Sequence, residues 1–356
     1  MRKLRILVSP LDWGLGHATR CIPIISSLLE NRCEVLVGAD GRALELLKEE
    51  FPSLQFIRMP GYDLSYPAGA TMAFKMAASI PRILKGIKAE HEQLAAIIKE
   101  YAVDAVISDN RFGLWHKNIP CVFITHQLMI KSPLGENILH RLNKRYIKRF
   151  SACWVPDVAG ENNLSGDLAH QYPLPANAGF IGPLSRFSPA PSAKENGKIL
   201  VLLSGPEPQR SILEKKLLRQ LMDPGRPALL VRGVTENQER KKITKETEVI
   251  NYMTGEELQK ELSECSVVIA RSGYSTIMDL AVLKKKKIIF IPTPGQTEQE
   301  YLAQRFSKMN VAYSASQKKF ELGAALAKVN GYNGFNADID PSSFREKIRV
   351  WISSLR

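Results

Sequence analysis

The chain is short of cysteine, of aromatic residues and of long apolar runs, and each shortage excludes something. Five cysteines in 356 residues (Cys21, Cys33, Cys121, Cys153, Cys265) are scattered, odd in number and never in Cys-x-x-Cys spacing. That excludes a disulfide framework and a zinc knuckle, and it fits a reducing compartment. Aromatic residues make up 8%, and few are interleaved with basic ones, so a base-stacking nucleic-acid surface is not expected. The apolar run after Met1-Arg-Lys stops within a few residues at Pro10 and Asp12, too soon for a signal peptide. No stretch approaches the roughly 20 apolar residues of a membrane-spanning helix. A cytoplasmic protein is expected, able to sit peripherally at the inner face of a membrane.

The remaining composition is that of an ordinary globular chain. Hydrophobic residues make up 44% and charged residues 24%, which excludes wholesale disorder and coiled coil. The length suggests two domains. Lys and Arg number 49 against 36 Asp and Glu, a formal charge of +13. Such a surplus favours anionic partners: nucleic acid, an acidic membrane or phosphorylated small molecules.

Short β-branched runs alternate with longer amphipathic segments, the pattern of βαβ units on a parallel sheet. Expected strands in the first half are Leu4–Ser9, Cys33–Gly38, Gln55–Met59, Ala105–Ser108, Cys121–Thr125 and Ala152–Val155. Expected helices there lie near Ala18–Glu30, Arg42–Glu50, Ala70–Tyr101 and Gly135–Phe150. The aperiodic Pro-, Ser- and Gly-rich stretch at 183–197 reads as a linker between domains over 1–182 and 198–340. Strands Ile199–Leu203, Ala228–Arg232, Val249–Asn251, Val267–Ala270 and Ile288–Ile291 follow, alternating with a second series of helices. A last amphipathic stretch within 341–356 is expected to fold back across the junction. The fold class is therefore α/β: two Rossmann-like doubly wound domains, with ligands expected at the carboxyl ends of their strands.

Four strand ends carry candidate chemistry. The first strand runs into Asp12-Trp-Gly14-Leu-Gly16-His17. Glycines there allow a tight turn into a helix start that can hold an anion, while His17 or Asp12 can move a proton. The full dinucleotide fingerprint is absent, since Thr19 stands at the third glycine position, and the loop alone is equally a tight turn holding nothing. Ser204-Gly205-Pro206-Glu207-Pro208-Gln209-Arg210 repeats the arrangement, with Ser204, Gly205 and Arg210 as phosphate contacts. The third segment, Arg271-Ser272-Gly273-Tyr274-Ser275-Thr276-Ile277-Met278-Asp279, combines a cation, hydroxyls and a helix start with a carboxylate placed to accept ribose hydroxyls. The next strand ends at Pro292-Thr-Pro-Gly-Gln-Thr-Glu298-Gln299. Together the last two loops suit the phosphate, ribose and polyol parts of a nucleotide sugar.

Arg271-Ser-Gly-x-x-Thr-x-x-Asp279 followed by Glu298-Gln299-x-x-x-Ala303 resembles the donor site of glycosyltransferase family 28. Gly14-Leu-Gly16-His17 is similar to that family's first glycine loop, and Ile119-Pro-Cys-Val-Phe-Ile-Thr-His126-Gln127 to a strand ending in a histidine near the acceptor. The resemblance implies a GT-B fold of two domains facing across a cleft. It also implies a UDP-sugar on the C-terminal domain and metal-independent transfer with inversion, with no cofactor beyond that donor. By position, Asp279 would bind ribose, Ser272–Thr276 and Ser204–Gly205 the diphosphate, and Glu298 and Gln299 the sugar. Met253 would sit by the base, and His17 or Asp12 would deprotonate the acceptor. Gly14, Gly16, Asp109, His126 and Gln127 would lie on the acceptor side, although a capping role suits Asp109 and His126 as well. Three departures stand out: Asp279 replaces a Glu, Glu298 replaces an amide, and Leu302 stands where the family often has Asn. The second makes GlcNAc a doubtful donor. A UDP-GlcNAc 2-epimerase-like enzyme and a non-catalytic nucleotide-sugar-binding protein are the alternatives.

Charge is unevenly spread. Residues 64–150 hold 13 Lys and Arg against 6 Asp and Glu, so over half the surplus lies on the expected acceptor domain. Met72–Lys88 and His140–Phe150 mix apolar and basic residues, a composition that suits an anionic bilayer or a solvated helix face. An anionic membrane or a phosphate-bearing acceptor accounts for the excess better than nucleic acid does, and the acceptor is expected to be a glycan, a lipid-linked sugar or a small molecule.

Overall fold

A computed structural model describes residues 2–62, 80–131, 135–189, 194–222, 226–235 and 239–356. Positions 70–79 of the expected helix Ala70–Tyr101, which include 72–79 of the basic segment, and 190–193 of the linker lie outside the described residues. The chain forms two compact units. The first is built on residues up to Leu184 together with Asp340–Arg356, the second on Ser185–Ile339.

The first unit carries β1 (Arg5–Pro10), β2 (Glu34–Ala39), β3 (Gln55–Arg58), β4 (Ala105–Asp109), β5 (Cys121–Ile124), β6 (Ala152–Val155) and β7 (Ala178–Phe180). They form one sheet in the order β3-β2-β1-β4-β5-β6-β7, parallel throughout. The central strands are buried along almost their whole length, which is why they read as unbroken apolar runs rather than alternating ones. Leu7, Leu36, Val106 and Phe123 anchor one core cluster of this sheet. Truncating one such leucine to alanine costs about 2–5 kcal/mol. The helix Ser343–Ser354 belongs to this unit: Trp351 meets Trp154 edge to face, and Arg345 pairs with Glu30.

The second unit carries β8 (Ile199–Leu202), β9 (Ala228–Val231), β10 (Arg240–Lys242), β11 (Thr247–Ile250), β12 (Val267–Ala270), β13 (Ile288–Phe290) and β14 (Tyr313–Ser314). Their order is β10-β11-β9-β8-β12-β13-β14. Only the β10–β11 pair is antiparallel among the described strands.

Three strands, β7, β10 and β14, and the helices Asp167–His170 and Leu322–Val329 were not expected from the sequence. β10 is Arg-Lys-Lys with every residue exposed, an edge strand whose charges discourage further pairing and erase the apolar signal. The expected linker also differs in extent, because Ser185 and Phe187 already belong to the second unit. Phe187 is buried there, and Ser185 is bonded to Asp279.

In each sheet the strand order reverses once, between β1 and β4 and between β8 and β12. In open parallel sheets such a reversal leaves a crevice at the carboxyl ends, where ligands bind. Register sets what meets there: Pro10 lies opposite Asp109, and Leu202 opposite Ala270.

Candidate functional site

In the first unit the chain leaves β1 at Pro10, and Leu11 donates its N–H to the Asp109 carbonyl (3.0 Å). The helix Leu15–Glu30 starts on Gly14, whose φ of 134° suits glycine and which has no side-chain cap. It begins three residues earlier than the apolar pattern suggests, so Gly16 and His17 lie in its first turn and Arg20 one turn further on.

His17, Arg20 and Asp109 converge at the β1/β4 reversal. His17 Nδ1 lies 3.0 Å from Asp109 Oδ1 and 2.9 Å from Arg20 Nη2. Arg20 donates to both oxygens of Asp109 through Nε and Nη2, and its Nη1 lies 3.0 Å from His126 Nδ1. Asp109 is fully buried. Burial by itself raises its pKa, but the charges and hydrogen bonds of Arg20 and His17 outweigh that and hold it down at about 2. An ionised carboxylate behind an imidazole is the arrangement that orients a general base. Asp109 is therefore no strand cap. His126, nearly enclosed, completes the group. Gln127 is half-buried, and its carbonyl accepts from Asn143 Nδ2 (2.8 Å).

Asp12, the other candidate base, is placed differently. Its Oδ1 is buried and has no hydrogen-bond partner among the described residues. Its carboxyl is so close to Gly61 that a Cβ there would stand 1.8 Å from Oδ1. Burial raises its pKa, and Arg111 partly offsets this. Arg111 is itself buried, donating to Glu90 (2.8 Å) and to the carbonyls of Met59 (3.0 Å) and Pro60 (2.6 Å).

Arg20 and Arg111 escaped the sequence reading. The available signal for Arg20 was a charge in a helix that is otherwise apolar, three residues from His17 and so on the same face.

In the second unit Ser204 and Gly205 follow β8, with Gly205 at φ 100°. A Cβ on Gly205 would meet Thr293 Oγ1 at 3.4 Å, and that hydroxyl is buried without a hydrogen-bond partner among the described residues. Across the reversal, Gly273 opens the helix Tyr274–Val282, with no side-chain cap. A Cβ on Gly273 would meet nothing within 4 Å. An uncapped helix start facing open space is suited to anions. Ser275 and Thr276 are half-buried in its first turn. By contrast, the helix Gly255–Glu264 starts on a complete Thr254/Glu257 capping box. Met253, one residue before that cap, is buried.

Several expected contacts are turned inward. Arg271 is buried, and Nη1 donates to the carbonyls of Ile291 (3.0 Å) and Pro292 (3.1 Å). Its Nη2 donates to the Gln209 carbonyl (3.0 Å) and Gln317 Oε1 (2.7 Å). Burial lowers its pKa to about 10. It is thus a clamp on three loops rather than an open phosphate ligand, though among the described residues its charge is met only by neutral oxygens.

Arg210 differs more sharply, for it pairs with both Glu207 and Glu214 (2.6 Å each). Ser272 Oγ donates to the Gln299 carbonyl (2.7 Å), and Gln299 Oε1 accepts from Thr293 N–H (2.9 Å). Both therefore hold the loop after β13 in place, where a direct ligand contact was expected. Glu298 is half-buried in the first turn of the helix Thr297–Lys308. Asp279 accepts from Ser185 Oγ (2.6 Å). Burial pushes its pKa up to about 6, with Arg186 opposing. Ser185 lies 94 positions away, beyond reach of any local pattern. Among the described residues no cluster of three or more His, Cys, Asp or Glu is arranged to hold a metal ion, and no helix is long and apolar enough to cross a membrane.

Two Rossmann-like units, each with a strand-order reversal, are consistent with a GT-B fold, and solved structures of that fold agree. The chain superposes on the calicheamicin glycosyltransferase CalG4 with a TM-score of 0.59 at 12% identity, covering 100% of this chain and 94% of that one. It superposes on MurG of Acinetobacter baumannii with a TM-score of 0.52 at 14% identity, covering 100% and 95%. Residues 228–338 match the glycosyltransferase family 28 C-terminal domain. An uncharacterized glycosyltransferase of Methanosarcina acetivorans is 24% identical over 323 residues, 83% of this chain and 82% of that protein. A counterpart in Methanosarcina mazei is also 24% identical, over 337 residues. The chain is a glycosyltransferase of GT-B fold whose residues 228–338 are similar to the family 28 C-terminal domain.

Proposed function

We propose that this glycosyltransferase moves a hexose or N-acetylhexosamine from a UDP-sugar to a hydroxyl of a glycan, lipid-linked or phosphate-bearing acceptor. Transfer proceeds with inversion and without a metal. The observation that carries this reading is the His17–Asp109 pair at the β1/β4 reversal. With Nδ1–H given to Asp109, Nε2 of His17 takes the proton of the acceptor hydroxyl. The freed oxygen forms a bond to the anomeric carbon as the bond to the diphosphate oxygen breaks. The electron pair leaves on UDP, and the proton stays on His17 until solvent removes it. Asp109 steadies the imidazolium, which favours His17 over Asp12 as the base.

Donor binding falls to the second unit. The uncapped start of Tyr274–Val282 and the Ser204–Gly205 turn receive the diphosphate, with Arg271 contributing charge from beneath. Asp279 exchanges Ser185 for the ribose hydroxyls. Glu298, an acid in place of an amide, suits a plain hexose.

The acceptor side is coupled to an anionic membrane surface. Ile80 and Leu84 are about half exposed, at 48% and 49%, and Ile138 and Leu142 at 65% and 48%. Basic residues flank both pairs, and Ile83 of the helix Ile80–Tyr101 and Tyr146 of the helix Glu136–Ile147 pack on one apolar cluster. Basic amphipathic helices of this kind lie in the headgroup region. Sedimentation with phosphatidylglycerol vesicles, weakened in an Ile138→Ser/Leu142→Ser variant, tests it.

The deciding experiment is a thermal-shift panel of UDP-, GDP-, CDP- and dTDP-sugars, followed by assay of UDP release with and without acceptors. Stabilisation by UDP-sugars, with UDP freed only when an acceptor is present, is the expected result. Release without an acceptor favours an epimerase-like reaction, and binding without any turnover favours a non-catalytic protein. No stabilisation by any UDP compound would sink the reading.

A further inference from the structure

We infer that the Arg20–Asp109 pair imposes opposite tautomers on the two histidines at the β1/β4 reversal: Arg20, as a positioning residue, fixes Nε2–H on His126, and the Asp109 that it holds fixes Nδ1–H on His17. The catalytic consequence rests on the function proposed above, but the assignment itself does not.

The argument starts from the guanidinium, which has five N–H donors, no acceptor and a fixed planar fork. Arg20 is only 2% exposed. Nε and Nη2 both donate to Asp109, which sets the plane of the fork. That leaves Nη1 pointing at His126 Nδ1, 3.0 Å away. A donor-only group at hydrogen-bond distance requires a lone pair on the nitrogen it meets. His126 therefore carries its proton on Nε2 and is neutral while the contact holds. Protonating Nδ1 would set an N–H against an N–H inside a buried group.

His17 faces a different choice, because Nδ1 lies within reach of Asp109 Oδ1 (3.0 Å) and Arg20 Nη2 (2.9 Å). The carboxylate demands a proton there and the guanidinium demands a lone pair, so only one contact is a hydrogen bond. Charge decides between them: giving Nδ1–H to Asp109 costs Arg20 its contact with His17, but Arg20 keeps its bonds to both Asp109 oxygens and to His126, whereas the carboxylate has no such reserve. A buried carboxylate offers about four acceptor positions. Oδ2 takes Arg20 Nε and Cys21 Sγ (3.7 Å), and Oδ1 takes Arg20 Nη2. His17 Nδ1–H supplies the fourth partner, whereas the other tautomer leaves a fully buried anion one hydrogen bond short.

Under the proposed function the two rings then have different roles. His17 keeps a lone pair on Nε2 for the acceptor's proton. His126 can only donate through Nε2 and cannot replace His17 as base.

The test is a long-range ¹H–¹⁵N correlation spectrum of the full chain without substrate, with the six histidines assigned by single His→Gln variants. Expected are Nδ1–H for His17 and Nε2–H for His126. In Arg20→Lys, where the ammonium can still neutralise Asp109 but lacks the fork, His126 should become a tautomer mixture. There kcat should fall about 10- to 100-fold with the donor KM little changed. Nε2–H on His17, Nδ1–H on His126, or unchanged tautomers in Arg20→Lys would each overturn the inference. If Arg20→Lys does not fold, the wild-type spectrum decides alone. Blank transfer assays with the expected tautomers would count against the proposed function and leave this assignment standing.

Discussion

The two strand-order reversals answer buried charge in opposite ways. At β1/β4 charge meets charge: Arg20 grips Asp109, and the carboxyl is held down at about 2. At β8/β12 charge meets neutral groups: Arg271 has four carbonyl-type oxygens, and Asp279 has the Ser185 hydroxyl, with Arg186 only partly offsetting its burial. The arginine is accordingly lowered to about 10 and the aspartate raised to about 6. The first set is electrostatically complete without a ligand, which suits a proton-transfer device that must be pre-organised. The second is short of counter-charge, which suits a site completed by an anionic, hydroxyl-rich ligand.

The sharpest way to break that contrast is His17→Ala. Transfer should fall about 10³-fold, within the range for a lost general base, while calorimetric affinity for the UDP-sugar stays within about twofold. A parallel loss of donor binding would erase the division of labour.

Asp109→Asn comes next, with an expected kcat loss of about 10²-fold and a destabilisation of about 3–5 kcal/mol, because Arg20 would stay buried without its counter-charge. The pH dependence follows from the lowered pKa. The Asp109 contribution to stability is present above its unfolded value of 3.8 and is lost as pH falls towards about 2. Urea midpoints at pH 5 and pH 2.5 should show this acid-sensitive component in wild type and not in the Asn variant.

Arg271→Met probes the other side. It should raise the UDP-sugar Kd about tenfold, equivalent to one charge-assisted contribution, with a smaller effect on kcat at saturation. Binding unaffected by the loss of that cation would mean the second site is as self-sufficient as the first.

The smallest effect is the pH dependence of donor affinity. A UDP-sugar keeps both phosphates ionised across mild acid, so a fall in affinity of several-fold between pH 7.5 and 5 would report Asp279, which titrates near 6. Asp279→Asn should flatten that curve. For stability the sign is reversed relative to Asp109. The raised pKa makes the folded state bind more protons, so Asp279's contribution is present below pH 3.8 and lost as pH rises through about 6.

The strands at the centre of both sheets were legible because burial on both faces demands continuous apolar runs, as in β1 and β12. The glycine turns were legible because positive φ at Gly14 and Gly205 selects that residue. What the motif residues do was less legible. Arg271 and Ser272 carry the right chemistry for phosphate, yet both spend their donors on neighbouring loops. Arg210 spends its own on Glu207, three positions back in the preceding turn, and on Glu214, four positions on within the helix Gln209–Leu221, the second a pairing that its spacing would have allowed one to read.

By itself, then, the amino-acid order determined the alternation of strand and helix, the glycine-bearing strand ends and the excess of positive charge, since each depends on neighbours a few positions apart. Only the tertiary structure decided which charges meet. His17 and Asp109 are 92 positions apart, Arg20 and His126 are 106, and Arg271 and Gln317 are 46. Strand order, with β4 placed beside β1 and β12 beside β8, brings them within hydrogen-bond reach. That order follows from how whole layers bury their apolar faces, a global quantity that no local window of residues contains.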